Sequence, residues 1–397
     1  MGSMERAIPP RTFLAALGLA SALAAAPAPA EPFVPASDAV VLESLPEKGD
    51  PALAALRRMR ADLATNPLDP ARALPVARLA LDAARTLGDP RFLGQAQAAL
   101  APWWTGENVP APMLLLRATI RQSQHEFAGA LVDLDRLLAA RPAYAQARLT
   151  RASVLTVVGR YADARRDCAA LTRLASPLVA AACDAGPASL AGDADAAYHA
   201  LLAAPRRASD STEVREWALT IAAEIAARRG DFAGAEGHFK AARALAPRDA
   251  YLKGAYADFL LDRGCAREVA ALLRDDSRND GLLLRLALAE ARLPDARTAY
   301  ETHGADLAAR FDAARRRGDS MHRREEARFR LDVQGDARAA VALARANWSV
   351  QREPADLRIL IEAARAADDA GALAMAAAWI AVNRLEDAAL AAPSPAR

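Results

Sequence analysis

The chain has 397 residues, long for one compact core, so two or more domains or a single extended repeat array are expected. Apolar residues make up 53% of it, chiefly alanine and leucine, and aromatics only 5%; strand-forming valine, isoleucine, threonine and tyrosine are sparse, which argues against a β-sheet protein. With 51 basic and 49 acidic residues the formal charge is +2, and no general pull toward nucleic acid or an anionic membrane surface follows from that balance.

The N-terminus carries Arg6 and Arg11, an uncharged apolar run from Phe13 to Ala26, and then APAPA, in which Ala28 and Ala30 have the spacing of an A-x-A cleavage site. This is the three-part pattern of a secretory signal peptide, so residues 1–30 are expected to be removed and the chain to reach the periplasm or the exterior. The apolar run is shorter than the about 20 residues that cross a bilayer. No later apolar run escapes interruption by arginine or aspartate, so no integral membrane span is expected. Residues 31–50 are rich in proline and charge and read as an extended lead-in.

From there the chain repeats. Similar segments turn at Gly159 (VVGRYADARRDCAAL), Gly230 (ARRGDFAGAEGHF), Gly264 (DRGCAREVAALL) and Gly335 (VQGDARAAVALA). Gly230 to Gly264 is 34 residues, as are His125 to Gly159 and Gly335 to Asp369, while Gly159–Gly230 and Gly264–Gly335 are 71 each, two units plus three. Gly192 and the region of Pro294 supply the middle turns, and Gly88 extends the series backward. Five residues after the turns stand Ala130, Ala164, Ala197, Ala235, Ala340 and Ala374. Seven residues before them stand Ala118, Ala152, Ala185, Ala223 and Ala257. Phe127, Tyr161 and Phe232 recur two residues after the turn, and Pro142, Pro177 and Pro247 end units.

On these residues the chain resembles the tetratricopeptide repeat family over roughly residues 70 to 390. The fold class implied is all-α, a superhelical array of antiparallel helix pairs over residues 51–390, followed by a frayed tail at 391–397. Physical logic agrees: one hairpin cannot bury its apolar face alone, whereas stacked hairpins share a core, with alanine where helices cross closely and leucine between layers. The APWWTGENVPAP stretch interrupts the array, and Trp103 and Trp104 are expected to plug that junction.

Chemistry is hard to find. The five histidines are too far apart for a helical metal site, and no nucleophile elbow, phosphate loop or dinucleotide fingerprint occurs. No catalytic residue, metal or cofactor is expected, and binding is the default. The resemblance implies that the first helix of each pair lines a concave face. Its residues would be Gln146, Leu149 and Ser153; Trp217, Thr220 and Glu224; Tyr251, Asp258 and Asp262; and His322, Glu325 and Phe329. The lysine–asparagine pattern with which family members clamp a C-terminal carboxylate is missing, since Leu149, Thr220 and Glu325 stand there instead.

The least repetitive stretch is 311–336, with eight arginines between Arg310 and Arg330. Arg328 falls where five earlier units have alanine, and Glu362 falls there in the next unit. A large charge at a helix crossing is costly unless paired. His322, Arg324, Glu325, Arg328 and Phe329 are therefore expected to form a binding site, with Trp217, Glu224, Tyr251 and Asp258 lining the groove before it, and Arg328 offering its donor fork to Glu362 or a ligand. H-x-R-E-E-A-R-F and N-W-x-V-Q-R-E-P resemble the C-terminal part of envelope-associated repeat proteins of unassigned function. The function expected is a non-enzymatic adaptor holding a protein or peptide. The alternatives are a structural component of a secretion or surface-polymer machine, and a small-molecule receptor or enzyme built on the arginine-rich cluster.

Three cysteines remain. Cys168 and Cys183 fall on adjacent helices and are expected as two small buried hydrophobes, with a disulfide open to them if their Cα atoms lie within about 7 Å. Cys265 follows a turn and is expected to be the most accessible.

Overall fold

The computed structural model describes residue 37 and residues 51–106, 109–319 and 321–391. The expected signal peptide, nearly all of the lead-in and residues 392–397 of the tail lie outside the described residues. Among the described residues the chain is all-α, with twenty α-helices, one 3-10 turn and no strand.

A single helix, α1 (Pro51–Thr65), precedes nine hairpins. They are α2–α3 (Pro70–Leu87, Arg91–Ala99), α4–α5 (Ala111–Ser123, Phe127–Ala140), α6–α7 (Ala145–Val157, Tyr161–Leu171), α8–α9 (Pro177–Ser189, Ala194–Ala203) and α10–α11 (Thr212–Arg228, Phe232–Leu245). There follow α12–α13 (Ala250–Asp262, Ala266–Leu273), α14–α15 (Asp280–Glu290, Arg297–Arg316), α16–α17 (Arg323–Asp332, Ala337–Trp348) and α18–α19 (Pro354–Ala366, Ala370–Asn383). A four-residue helix, α20 (Ala388–Ala391), ends the described part.

The local causes are plain. Most hairpins turn on a left-handed residue, a glycine in six of them, with His125 and Asp368 taking the same conformation in two others. Asp231, Asp249, Asn279, Asp336 and Asp369 accept hydrogen bonds from backbone N–H groups of the helices they precede. The alanines at the expected crossings of the first helices, Ala118, Ala152, Ala185, Ala223 and Ala257, are all buried, and so are Ala130, Ala164, Ala197, Ala235 and Ala340 on the second. Ala374 is not. The left-handed residue there is Asp368 rather than Asp369, and α19 buries Ala372 and Ala376 instead.

The turn at Gly335 corrects a second register. In the hairpins turning at Gly159, Gly230 and Gly264, the N–H after the glycine donates to the carbonyl five residues back: Arg160 to Leu155, Asp231 to Ala226, Cys265 to Leu260. At Gly335 the bond runs from Asp336 to Arg330, six residues back, so this turn holds one extra residue. The whole of α16 is displaced by one position, about 100° around its axis. Ala327, fully buried, takes the crossing, and Arg328 does not break the alanine rule. Counted the same way from Asp368, the crossing residue of α18 is Ile361, which is buried, and not Glu362.

The array closes on itself. Asn279 Nδ2 donates to Gly88 O at 3.1 Å, Tyr161 Oη to Arg352 O at 3.5 Å, and Arg384 Nη2 to Ala191 O at 3.1 Å, across 191, 191 and 193 residues. Arg352 N–H also donates to Val157 O at 2.7 Å, and Arg85 pairs with Asp249. Contacts between successive turns thus bridge 164 to 195 residues, and the turns touch at hairpin glycines. At Gly159 a Cβ would stand 2.4 Å from Trp379, so a side chain is excluded there by the next turn as well as by its φ of 79°.

Trp103 and Trp104 plug their junction as expected. Both pack half-buried on the core of α1–α4, and Arg117 donates to their carbonyls at 2.8 and 2.7 Å. Arg117 is itself buried and bidentate on buried Asp133, a pair whose geometry offsets its desolvation.

Cys168 and Cys183 are joined by a disulfide, with Cα atoms 5.4 Å apart, so the reading as two free hydrophobes is corrected. They sit on α7 and α8, whose close packing brings the Cα atoms within bridging range. Cys265 is free and half-exposed beside Gly264.

Candidate functional site

The first helices of the hairpins face inward and line a half-open lumen of about 960 Å³. Its apolar wall includes Leu149, Trp217, Ile221, Phe232, Leu282 and Ile359. Part of its polar wall comes from one angular position. In five hairpins the polar residue that follows the crossing residue faces the lumen: Ser153 after Ala152, Glu224 after Ala223, Asp258 after Ala257, Arg328 after Ala327 and Glu362 after Ile361. A charged side chain placed there meets cavity water, while the small neighbour keeps the helices close.

Eight of the nine expected site residues line this one lumen: Trp217, Glu224, Tyr251, Asp258, His322, Arg324, Glu325 and Arg328. Phe329 does not. It is 1% exposed and packs on Phe311 with ring centroids 5.3 Å apart. The extra residue before Gly335 is the cause, since it turns Phe329 off the concave face and puts Arg328 on it. Thr220 is likewise buried, donating its hydroxyl to Glu216 Oε1 at 2.8 Å.

The charges form three connected groups. Asp258 receives Arg285 on one oxygen and Arg328 on the other, each at 2.6 Å. The expected partner of Arg328, Glu362, pairs instead with Arg358 at 2.9 Å, which also holds Asp262 at 2.6 Å. Arg324 meets Glu325 at 3.2 Å, Glu353 at 3.0 Å and Asp356 at 3.4 Å. Asp356, fully buried at the start of α18, also accepts from Asn347 at 2.8 Å and Gln351 at 3.0 Å. Apart from these, Tyr251 Oη donates to Glu224 Oε1 at 2.6 Å. Tyr251 is 60% exposed, and the solvent it meets is that of the lumen.

Protonation follows from this wiring. Burial would raise the Glu325 carboxyl, but Arg324, Arg285 and His322 outweigh it and hold it at about 2. Asp258 lies well below the usual carboxylate range because Arg285 and Arg328 overcome its burial. Glu353 goes the other way: burial pushes it up to about 7, against Arg324 and with help from Asp356. Glu224 is raised by burial, which the Tyr251 hydrogen bond only partly opposes.

Sequence reasoning missed Arg285, Glu353 and Arg358 as wall residues. A signal for Arg285 was present, since it is the only basic residue in the otherwise apolar DGLLLRLALAE helix. Arg358 lies one helical turn before Glu362 on the same face of α18, and Glu353 caps that helix, so both follow from the local helical phase. Among the described residues no group of three or more histidine, cysteine or acidic side chains is placed to hold a metal ion. No described helix is long and apolar enough to cross a membrane.

The 34-residue period, the alanine crossings and the stacked antiparallel hairpins define a tetratricopeptide-type helical solenoid. No family model matches the chain, and no curated protein matches it. Among solved structures it is similar to the APC/C hetero-tetramer Cut9–Hcn1, at 13% identity over 78% of this chain with a TM-score of 0.43. The chain spans 58% of that protein. A tetratricopeptide repeat protein from Parabacteroides merdae is similar at 14% identity, over 79% of this chain and 92% of that one, with a TM-score of 0.26. Yeast Tom70 is similar at 11% identity, over 84% and 93%, with a TM-score of 0.23.

Proposed function

We propose that the protein is a non-enzymatic interaction scaffold of the bacterial cell envelope that holds a segment of a partner protein in its lumen. The observation that carries this reading is the lumen itself. Its volume of about 960 Å³ falls in the roughly 300–1,000 Å³ range of ligand sites, which suits an extended or helical segment and is too small for a folded domain. Its wall alternates aromatic and aliphatic side chains with charged groups that already satisfy one another, so a segment can be read by shape and rim hydrogen bonds. An envelope location is supported by the signal-like N-terminus and by the Cys168–Cys183 disulfide, a bond that persists in oxidising compartments.

Capture from native periplasm tests the reading, using the intact exported protein beside its Trp217→Ala/Tyr251→Ala variant. The expected result is one dominant partner, retained by the wild type and reduced at least tenfold by the variant, which is compared at a temperature where its helical content equals that of the wild type. Equal capture by both would move the contact to the outer face. Thermal stabilisation by a metabolite with no protein captured would favour a small-molecule receptor instead.

A further inference from the structure

The end of the described chain enters the lumen. After α19, Arg384 adopts a left-handed conformation, with φ 50°, and Leu385 N–H donates to Ile380 O at 3.0 Å, which reverses the chain. Residues Asp387 to Leu390 then form part of the lumen wall, and α20 lies against α10. Ala388 Cβ is 3.8 Å from where a Cβ on Gly230 would stand, so the segment sits at the mouth marked by the α10–α11 turn. Leu385 and Leu390 pack on the core of the last two hairpins and anchor it.

The polar contacts at this mouth are incomplete. Arg228 donates from Nη2 to Ser189 Oγ at 2.8 Å, but its Nε is buried with no hydrogen-bond partner. Asp387 makes no ion pair among the described residues; its Oδ1 accepts the N–H of Ala389 at 2.9 Å. Burial raises its carboxyl, and the nearby Arg228 and Arg358 charges oppose that without touching it. A half-buried carboxylate and a buried donor line the same lumen and do not meet. The unpaired donor is unfavourable as it stands and would gain from a carboxylate that reaches Arg228.

We propose that residues 385–391 are a displaceable plug of the lumen, and that the partner segment replacing them presents a carboxylate to Arg228 with small and leucine side chains behind it. This rests on the reading that the lumen takes a protein segment, and it names that segment's chemistry. The plug is the chain's own imperfect version of the ligand: it fills the apolar wall through Ala388, Ala389 and Leu390 and leaves the charge contact unmade.

The test uses the full chain carrying Leu385→Ser/Leu390→Ser, which removes the anchors of the plug, and a fluorescent peptide of residues 385–391. Saturable binding to this variant by anisotropy is expected, at least tenfold weaker to the intact wild type, whose plug competes. A peptide carrying Asp387→Glu, whose longer side chain reaches toward Arg228, should bind the variant at least fivefold tighter than the native peptide, and adding Arg228→Gln to the variant should remove that gain; no gain overturns the carboxylate assignment. No saturable binding to the folded variant, or equal binding to variant and wild type, overturns the proposal. Hydrogen exchange on the unmodified protein is the second arm, independent of any variant. Amides of 385–391 should exchange at least a hundredfold faster than those of α18, and equal protection would mean a fixed cap. Failure of either arm leaves the lumen reading standing, because that reading is judged by capture with the Trp217/Tyr251 variant.

Discussion

The hairpins turning at Gly230 and Gly335 have the same left-handed glycine and the same aspartate cap, yet they present different faces. At Gly230 the crossing alanine is Ala223, and Glu224 beside it faces the lumen. At Gly335 one extra residue in the turn makes Ala327 the crossing residue, sends Arg328 to the lumen and puts Phe329 in the core. Register in a repeat array is therefore set by the last hydrogen bond of the first helix, not by the glycine that follows it. A one-residue insertion in a turn leaves the fold intact and exchanges which side chains a ligand would meet.

The largest expected effect separates the two registers. Phe329→Ala should cost about 3–5 kcal/mol in denaturant unfolding, as a fully buried aromatic does. A loss below about 1 kcal/mol would return Phe329 to the concave surface. Next is the closure of the superhelix. Gly335→Ala meets nothing within 4 Å and should cost only the left-handed penalty, about 1–2 kcal/mol. Gly159→Ala must in addition push Trp379 away, so it should be clearly more destabilising, and equal costs would mean that successive turns do not touch. Arg328→Ala should be mild, about 1 kcal/mol, because Asp258 keeps Arg285. If Arg328 stood at a crossing, the same change would stabilise.

A separate effect is in pH. Glu353 is raised to about 7, so between about 4.5 and 7 the folded protein holds a proton that the unfolded chain has released. Its contribution to stability therefore falls as pH rises through that window, and Glu353→Gln should flatten the slope there. Glu325 and Asp258 are depressed and act in the opposite sense at lower pH: their contribution is present above about 4.5 and is lost as pH falls. A slope unchanged by Glu353→Gln between pH 5 and 7 would contradict the burial assigned to it.

Much of the fold was legible. The 34-residue period and the alanine pairs follow from how close two helices must come, and that constraint is written locally in each unit. Most of the site was legible for the same reason, since inward-facing positions share one helical phase. What escaped has two physical sources. The extra residue before Gly335 is silent in composition and alters only a turn hydrogen bond. The closure that brings Arg352 to Val157 and Arg384 to Ala191 depends on a small rotation per hairpin, summed over a full turn, and no single unit records it. The disulfide lay between these cases: the two helices were placed correctly, but the distance that decides bonding was not in the sequence.

The central claim is that the lumen, and not the outer surface, meets the partner. The most direct measurement is photo-crosslinking in the native periplasm from two positions, Tyr251 on the lumen wall and Val132, 66% exposed on the outer helix α5. A photoreactive phenylalanine analogue at 251 should give a discrete adduct, which mass spectrometry resolves to one segment of one protein, while the same analogue at 132 gives none. An adduct from 132 with 251 silent would contradict the account.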